Sequence, residues 1–168
     1  MPHIYFWDFT IKWTEGEVKM DREVNAAEEQ IAKLKEHLAM MEKDRDRIID
    51  QCFPEDSVEC DEFEDFFDKY LRGLEKALKT LAPGEAGKGF PLVVIGSEVD
   101  VEDLAGGDCF KFRIVLPYQG ENRIEDVTCL SPAGRALILR RPGEEVTVAA
   151  PAGTFRYRIK EISFSPEY

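Results

Sequence analysis

Seven carboxylates and no basic residue lie between residues 55 and 65. They are Glu55, Asp56, Glu59, Asp61, Glu62, Glu64 and Asp65. Two neighbouring carboxylates could complete the coordination shell of Mg²⁺, which takes a few carboxylates together with waters and substrate phosphates. Acidic residues also favour a helix N-terminus, and Asp56 and Glu59 have the spacing of a capping box. Because capping needs only one or two acids, this segment is equally consistent with a metal-assisting site and with a helix start.

Two apolar seams flank the acidic segment and predict the helices that position it. Both seams repeat at intervals of three and four residues, which is typical of packed helices, and only Arg45 interrupts the first. The first seam contains Val24, Ala27, Ile31, Leu34, Leu38, Met41, Ile48 and Cys52, and the second contains Phe63, Phe67, Tyr70, Leu74, Ala77 and Leu81. Pro54 should end the first helix near Phe53. The short connection predicts an antiparallel helical hairpin, a short coiled coil, over residues 21–82 with its tip at 53–65.

The remainder of the chain has the pattern of a β-rich domain. Residues 83–90 have the composition of a linker, and residues 91–168 follow as the second domain. Ser131 and Pro132 predict the N-cap and first position of a short helix. The predicted fold class is therefore α+β, with a helical hairpin followed by an antiparallel β domain. Strands are predicted at 91–95, 98–102, 109–116, 124–130, 144–149 and 154–164.

Residues 1–20 are predicted to be an extra N-terminal segment that contains one β-strand. Large apolar side chains occupy alternate positions from residue 5 to residue 13, namely Tyr5, Trp7, Phe9, Ile11 and Trp13. A period of two indicates a strand with one buried face. We expect residues 4–13 to pair with a sheet edge of the C-terminal domain, which would satisfy their backbone groups. The alternative is that this segment makes a separate contact with a partner.

Composition argues against several classes of function. The formal net charge of −12 predicts no autonomous DNA binding, because phosphates repel an acidic surface. No apolar run reaches the roughly 18 residues that span a bilayer, and residues 4–13 lack the features of a signal peptide. Four cysteines without paired CxxC spacing predict a cytoplasmic protein with reduced thiols and no zinc site. Cys52 and Cys60 are expected to be free packing residues, with a disulfide as the alternative. His3 and His37 are isolated, which favours packed or solvated histidines over ligands.

Two motifs resemble the Gre family of bacterial transcript-cleavage and RNA polymerase secondary-channel factors. Residues 56–63 have the spacing D-x-x-E-x-x-E-aromatic of the Gre hairpin tip. Residues 130–137 resemble the family's L-S-P-x-G-R-A-L, and residues 142–146 and 151–153 continue that similarity. The two motifs occur in the family's order, and the resemblance covers about residues 21–162.

Membership would imply an accessory factor rather than an enzyme. The hairpin would enter the polymerase secondary channel, and an FKBP-like C-terminal domain would dock at the channel entrance. Asp56 and Glu59 match the positions that help the polymerase bind Mg²⁺ near the 3′ end of the nascent RNA, so no cofactor is expected on the chain alone. Glu55, Asp61, Glu62 and Phe63 would be auxiliary tip residues. Ser131, Pro132, Gly134 and Arg135 would contact the polymerase. We expect a monomer.

The tip also departs from the family pattern. Val58, Cys60 and Phe63 replace the usual Ser, Asn and Tyr, and Glu55 and Asp61 add negative charge. Related factors with more acidic tips occupy the channel and inhibit the polymerase without promoting cleavage. We therefore favour stimulation of cleavage and keep two alternatives, namely a channel-binding inhibitor and a plain interaction module.

Overall fold

A computed structural model describes residues 15–55, 57–81, 89–118 and 123–164, with the backbone alone for 15–24. Helices α1 and α2 precede the acidic segment, and α3 follows it. A five-stranded sheet with one short helix forms the C-terminal domain. The elements are α1 (Glu15–Lys43), α2 (Arg45–Cys52), α3 (Val58–Thr80), β1 (Ser97–Asp103), β2 (Cys109–Val115), β3 (Asp126–Thr128), α4 (Pro132–Leu137), β4 (Glu145–Ala150) and β5 (Gly153–Phe164). The predicted α+β class is confirmed. The strand predicted over 4–13 lies outside the described residues.

The helical hairpin forms as the seams predict, with two differences. Helix α1 begins at Glu15, earlier than the predicted start near residue 21, because the apolar seam marks only the packed part of a helix. The predicted single helix is also interrupted at Asp44. Its hydrogen bonds continue across the interruption, from the Asp44 amide to the Met40 carbonyl (2.9 Å) and from the Ile48 amide to the Asp44 carbonyl (2.8 Å).

Arg45, the polar interruption of the first seam, joins the two arms of the hairpin. Its Nε donates a 2.7 Å hydrogen bond to Asp68 on α3, and its guanidinium also contacts Asp46 at 2.8 Å. These partners hold the pKa of Arg45 above its ordinary value, the hydrogen bond to Asp68 contributing most. A cation therefore occupies this seam position without an unpaired buried charge.

The sheet has the order β3-β2-β1-β5-β4. Three of its pairings are antiparallel as predicted, but β3 runs parallel to β2. The chain between Val115 and Asp126 leads back to the level of Arg113 before β3 begins, so β3 runs in the same direction as β2. The strand predicted at 91–95 is wrong. This segment is buried, and Val93 exchanges hydrogen bonds with Leu139 and Arg140 instead of joining the sheet.

The hairpin packs along the C-terminal domain instead of projecting from it. Near the turn, the rings of Phe53 and Tyr118 meet edge to face with centroids 5.5 Å apart. Further along, His37 packs edge to face against Phe164 at 5.2 Å. The described residues of both parts form one continuous apolar core. None of the described helices is long and apolar enough to cross a membrane.

His37 lies where the hairpin packs on the C-terminal domain, and we expect it to make the stability of the protein depend on pH. It is 3% exposed, and its Nε2 is 2.7 Å from the Tyr70 hydroxyl, which also accepts the Ile95 amide at 3.3 Å. Burial lowers the pKa of His37 from 6.5 to about 4. The unfolded chain therefore binds a proton more readily than the folded chain as the pH falls from 6.5 towards 4. Between pH 6.5 and pH 4, we expect this difference in proton binding to lower the free energy of unfolding by about 3 kcal/mol.

The measurement is urea unfolding of the protein and of His37→Gln from pH 7 to about one pH unit below the folded-state pKa of His37, which is about 4. Glutamine keeps a hydrogen-bonding side chain and has no proton to gain. The unmodified protein should lose more stability than the variant over this range, and below the folded-state pKa the difference should stop growing. Parallel stability profiles for the two proteins would contradict the assignment.

Candidate functional site

The acidic segment forms the turn of the hairpin. Helix α2 ends at Cys52, and α3 begins at Val58 after a connection that contains Pro54. Ser57 is the N-cap of α3, and its hydroxyl accepts the Cys60 amide at 3.2 Å. The N-cap of α3 therefore lies one residue after Asp56, the position that the possible capping box with Glu59 would use. Asp56 itself lies outside the described residues.

The carboxylates of this region fall into two groups. Glu64 and Asp68 contact Arg45, and Asp65 pairs with Lys69, so these three carboxylates have basic partners within the hairpin. Four others are solvent-exposed and form no ion pair with any described residue, namely Glu55, Glu59, Asp61 and Glu62. Their charges are thus available to a cation or to a basic surface at the end of the hairpin. Within the described ranges, no group of three or more His, Cys, Asp or Glu residues could hold a metal ion.

Phe63, expected as an auxiliary tip residue, lies in the core instead. It is 0% exposed and packs between Phe53 and Phe67, with ring centroids 5.5 Å from each. The sequence already placed Phe63 in the second seam, and that seam packs inward as far as the turn. The large exposed apolar side chains near the turn are instead Val58 and Tyr118, which are 73% and 81% exposed. Sequence reasoning missed Tyr118, because only the folded chain brings the end of β2 to the hairpin turn.

The cysteines beside the turn are buried thiols that form no disulfide. Cys52 and Cys60 are 3% and 6% exposed, which agrees with the packing interpretation and not with a disulfide. Burial raises the pKa of Cys52 to about 11. Burial, followed by the proximity of Cys52, raises the pKa of Cys129 to about 12. Both groups are therefore protonated at neutral pH, which makes them slow to oxidise.

Helix α4 and its N-cap contain the four residues predicted to dock on a polymerase. Ser131 is its N-cap, as predicted, with its hydroxyl accepting the Gly134 amide at 3.0 Å and donating to the Thr128 carbonyl at 2.8 Å. Pro132 occupies the first helical position, where its missing N–H costs nothing. These two residues therefore define where α4 begins and how it joins the end of β3.

Gly134 allows α4 to approach the preceding segment closely. A Cβ at this position would lie 2.2 Å from the carbonyl oxygen of Thr128 and 2.9 Å from the Cα of Cys129. Both distances are well below van der Waals contact, and both neighbours are backbone atoms that cannot rotate away. The glycine of the L-S-P-x-G-R-A-L motif is therefore required by packing.

Arg135 connects α4 with the hairpin. Its Nε donates to the Leu130 carbonyl at 2.9 Å, and its guanidinium carbon lies 5.7 Å from the centroid of the Phe66 ring. An open cleft of about 320 Å³ separates α3 from α4, and its lining residues are Glu62, Asp65, Phe66, Lys69 and Arg135. The fold thus brings a tip residue, Glu62, and a predicted docking residue, Arg135, to the same cleft. Seam reasoning could not find Phe66 or Lys69, because neither belongs to the apolar periodicity.

Comparison with known proteins identifies the C-terminal domain. Residues 91–164 match the family model described as transcription elongation factor, GreA/GreB, C-term. Transcription elongation factor GreA of Thermodesulfovibrio yellowstonii is 39% identical over 72 residues, which cover 43% of this chain and 46% of that protein. GreA of Solidesulfovibrio magneticus is 36% identical over 72 residues, covering 43% of this chain and 44% of that protein. Each match thus spans less than half of the relative's length.

Solved structures from the same group are also similar. A prokaryotic transcription elongation factor GreA/GreB from Nitrosomonas europaea superposes with a TM-score of 0.41 and 24% identity, covering 55% of this chain and 80% of that chain. Gfh1 of Thermus aquaticus gives a TM-score of 0.40 and 20% identity, covering 82% of this chain and 94% of that chain. The assignment itself rests on the sequence match of the C-terminal domain. Residues 91–164 therefore form a domain of the type found at the C-terminus of the transcription elongation factors GreA and GreB.

Proposed function

We propose that this protein binds RNA polymerase as a Gre-type elongation factor and stimulates the polymerase to cleave backtracked RNA. The observation that carries the proposal is the set of four exposed carboxylates at the hairpin turn that form no ion pair with a described residue. They lie on a chain whose C-terminal domain is of the GreA/GreB type. A net charge of −12 suits a basic protein channel better than a nucleic acid. The protein would act as a monomer, with the nascent RNA 3′ end reached only inside the complex.

The turn would contribute carboxylates to a Mg²⁺ ion held mainly by the polymerase. Asp56 and Glu59 are the proposed ligands. Glu59 is exposed on the first turn of α3, and its carboxylate forms no ion pair with a described residue. Two carboxylates fit an ion that keeps most of its shell as waters and substrate oxygens, and they are too few to hold it on this chain alone. When bound, the ion would supply an activated water and neutralise charge on the scissile phosphate.

Docking at the channel entrance would involve the α4 region. Ser131, Pro132 and Gly134 shape this region, as their internal contacts indicate. Of the four predicted docking residues, Arg135 is the one with a charged side chain, and its guanidinium is exposed at the surface. Its guanidinium lies over Phe66 at the open cleft, where a carboxylate of the partner could reach it.

A second candidate is a polymerase-binding inhibitor that does not stimulate cleavage. It is favoured by the packing of the hairpin along the C-terminal domain, which ends with Phe53 against Tyr118 at the turn. A hairpin held in this way presents a blunt acidic end, whereas deep insertion into a narrow channel requires a thin one. The burial of Phe63 removes from that end the aromatic residue expected there.

Binding to core RNA polymerase separates these two functions from a plain interaction module. The full chain, labelled on the exposed Cys109, would be titrated with core polymerase and followed by fluorescence anisotropy. Saturable binding that an unlabelled Gre factor displaces supports both polymerase-directed functions. The absence of binding at micromolar polymerase would contradict both.

A further inference from the structure

A row of aromatic side chains lies on the core-facing side of the sheet, at a part of that side that the described residues leave partly exposed. The rings of Phe110 and Phe112 on β2 and of Tyr157 on β5 are in mutual contact, with centroids 5.8 to 6.5 Å apart. The register places Phe112 opposite Val99 and Phe110 opposite Val101, so these rings share the face of the apolar core. Phe110 is nevertheless 43% exposed. This part of the face is therefore apolar and incompletely covered by the described residues.

The strand edge beside this row is also unpaired. The edge strand β3 pairs only with Arg113–Val115, so among the described residues no strand lies along the first half of β2 on that side. Arg113 directs its amide away from β1, to the Glu125 carbonyl at 2.8 Å. Because the strand repeats every two residues, the amides of Cys109 and Lys111 point to the same edge. An open edge next to exposed aromatic rings is a site that proteins normally cover.

A third observation concerns Ile124, which immediately precedes this region of β3. Ile124 is 99% exposed, an unusual position for a large aliphatic side chain in a folded domain. Ile124 lies in the turn before β3, where the Asp126 amide donates to the Arg123 carbonyl at 3.0 Å. A second exposed apolar side chain therefore lies at the start of the edge strand.

We propose that residues 4–13 of this chain, which lie outside the described ranges, add a strand to the open edge of β2 and cover the aromatic row. Their large apolar side chains fall on alternate positions and would meet Phe110 and Phe112. The intervening Asp8, Thr10 and Lys12 would lie on the opposite face. There Lys111 is already 3.6 Å from both Glu98 and Asp100, so the polar positions meet a charged surface. From Trp7 to Trp13, both faces of the segment therefore match both faces of the edge, whereas Ile4 and Phe6 precede this alternation of apolar and polar residues.

The segment starts from the correct side of the domain. Phe53 contacts Tyr118 beyond the end of β2, while His37 contacts Phe164, which pairs with Ser97 near the level of Ile114. From the turn towards its N-terminus, α1 therefore runs in the same direction as β2 does from its C-terminal end towards Phe110. The 14 residues before Glu15 could reach roughly 45 Å when extended. That length allows part of residues 4–13 to pair along Cys109–Phe112 while the rest, with Thr14, connects to α1.

Tryptophan fluorescence tests this docking, because the only two tryptophans of the chain are Trp7 and Trp13. In the full-length protein, we expect emission shifted to the blue of free tryptophan and severalfold weaker quenching by acrylamide. Phe110→Ser should remove most of this protection. Val58→Ser is the matched control, because Val58 is an exposed apolar residue at the hairpin turn, and it should leave the emission unchanged.

Hydrogen exchange of the Lys111 amide provides a second readout if Phe110→Ser folds poorly. This amide should exchange slowly in the unmodified chain and quickly in Phe9→Pro, which removes a backbone donor from the added strand. Tryptophans quenched as readily as free tryptophan in the unmodified chain would overturn the proposal. So would a Lys111 amide that exchanges equally fast in both proteins. Protected tryptophans in a protein that sediments as a dimer would assign the edge to a second copy and overturn the intramolecular form.

Discussion

Glu59→Gln is expected to slow polymerase-catalysed cleavage of backtracked RNA by about tenfold or more, because losing one carboxylate near the metal removes transition-state stabilisation of order a kcal/mol or more. Asp56→Asn should have the same effect. Both changes keep the size of the side chain and remove its charge. Affinity for the polymerase should change little, since each variant removes one of several exposed carboxylates at the turn. The measurement is the single-turnover cleavage rate in stalled complexes at saturating factor.

Glu36→Gln is the matched control, because Glu36 is an exposed carboxylate on α1 well away from the turn. It should support cleavage at the rate of the unmodified protein. Stability should not confuse the comparison, since the N-cap of α3 is Ser57, which both variants retain. If both tip variants cleave normally, the carboxylates serve only the helix start. A slower rate that recovers at higher factor concentration would instead assign them to binding.

Gly134→Ala is expected to lower the free energy of unfolding by at least about 2 kcal/mol, because its Cβ has no room against backbone atoms. The added carbon would overlap the Thr128 carbonyl oxygen at 2.2 Å. Relief requires α4 to move away from the end of β3, which also disturbs the Ser131 cap and the position of Arg135. Urea unfolding, followed by circular dichroism, measures the effect.

Gly106→Ala is the appropriate control for this substitution. Its added Cβ would meet only a side-chain oxygen of Asp108 at 3.3 Å, which can rotate away. We expect a change within about 0.5 kcal/mol, as for other surface substitutions. Equal stability of Gly134→Ala and the unmodified protein would show that α4 is not held as closely as described.

The sequence predicts those features that depend on local or periodic signals. The seams located both arms of the hairpin because residues that pack on a neighbouring helix recur every three or four positions. Pro54 marked the end of the first arm, and Ser131 with Pro132 marked the start of α4 because capping chemistry is confined to a few adjacent residues. The match of the motif at residues 130–137 has the same local character.

Features that depend on distant contacts could not be predicted. An apolar run such as residues 91–95 has the same pattern whether it joins a sheet or packs as an irregular buried segment, and here it is irregular. Tyr70 fits the helical seam, yet its hydroxyl also meets Ile95 of the C-terminal domain. Seam spacing does not reveal which surface a side chain faces. For this reason the packing of the hairpin along the domain, and with it the burial of Phe63 and the position of Tyr118, emerged only from the fold.

The central claim is that the acidic turn makes this protein a stimulator of transcript cleavage. Its most direct test is the shortening of labelled RNA in a complex of core RNA polymerase backtracked by a defined distance, with Mg²⁺ present and the full-length protein added at increasing concentration. The account predicts a saturable acceleration of cleavage over the intrinsic rate of the polymerase, together with renewed elongation when nucleotides are supplied. Saturable binding to the same complex without any acceleration, across a range of pH and Mg²⁺ concentration, would contradict it and identify the protein as an inhibitor.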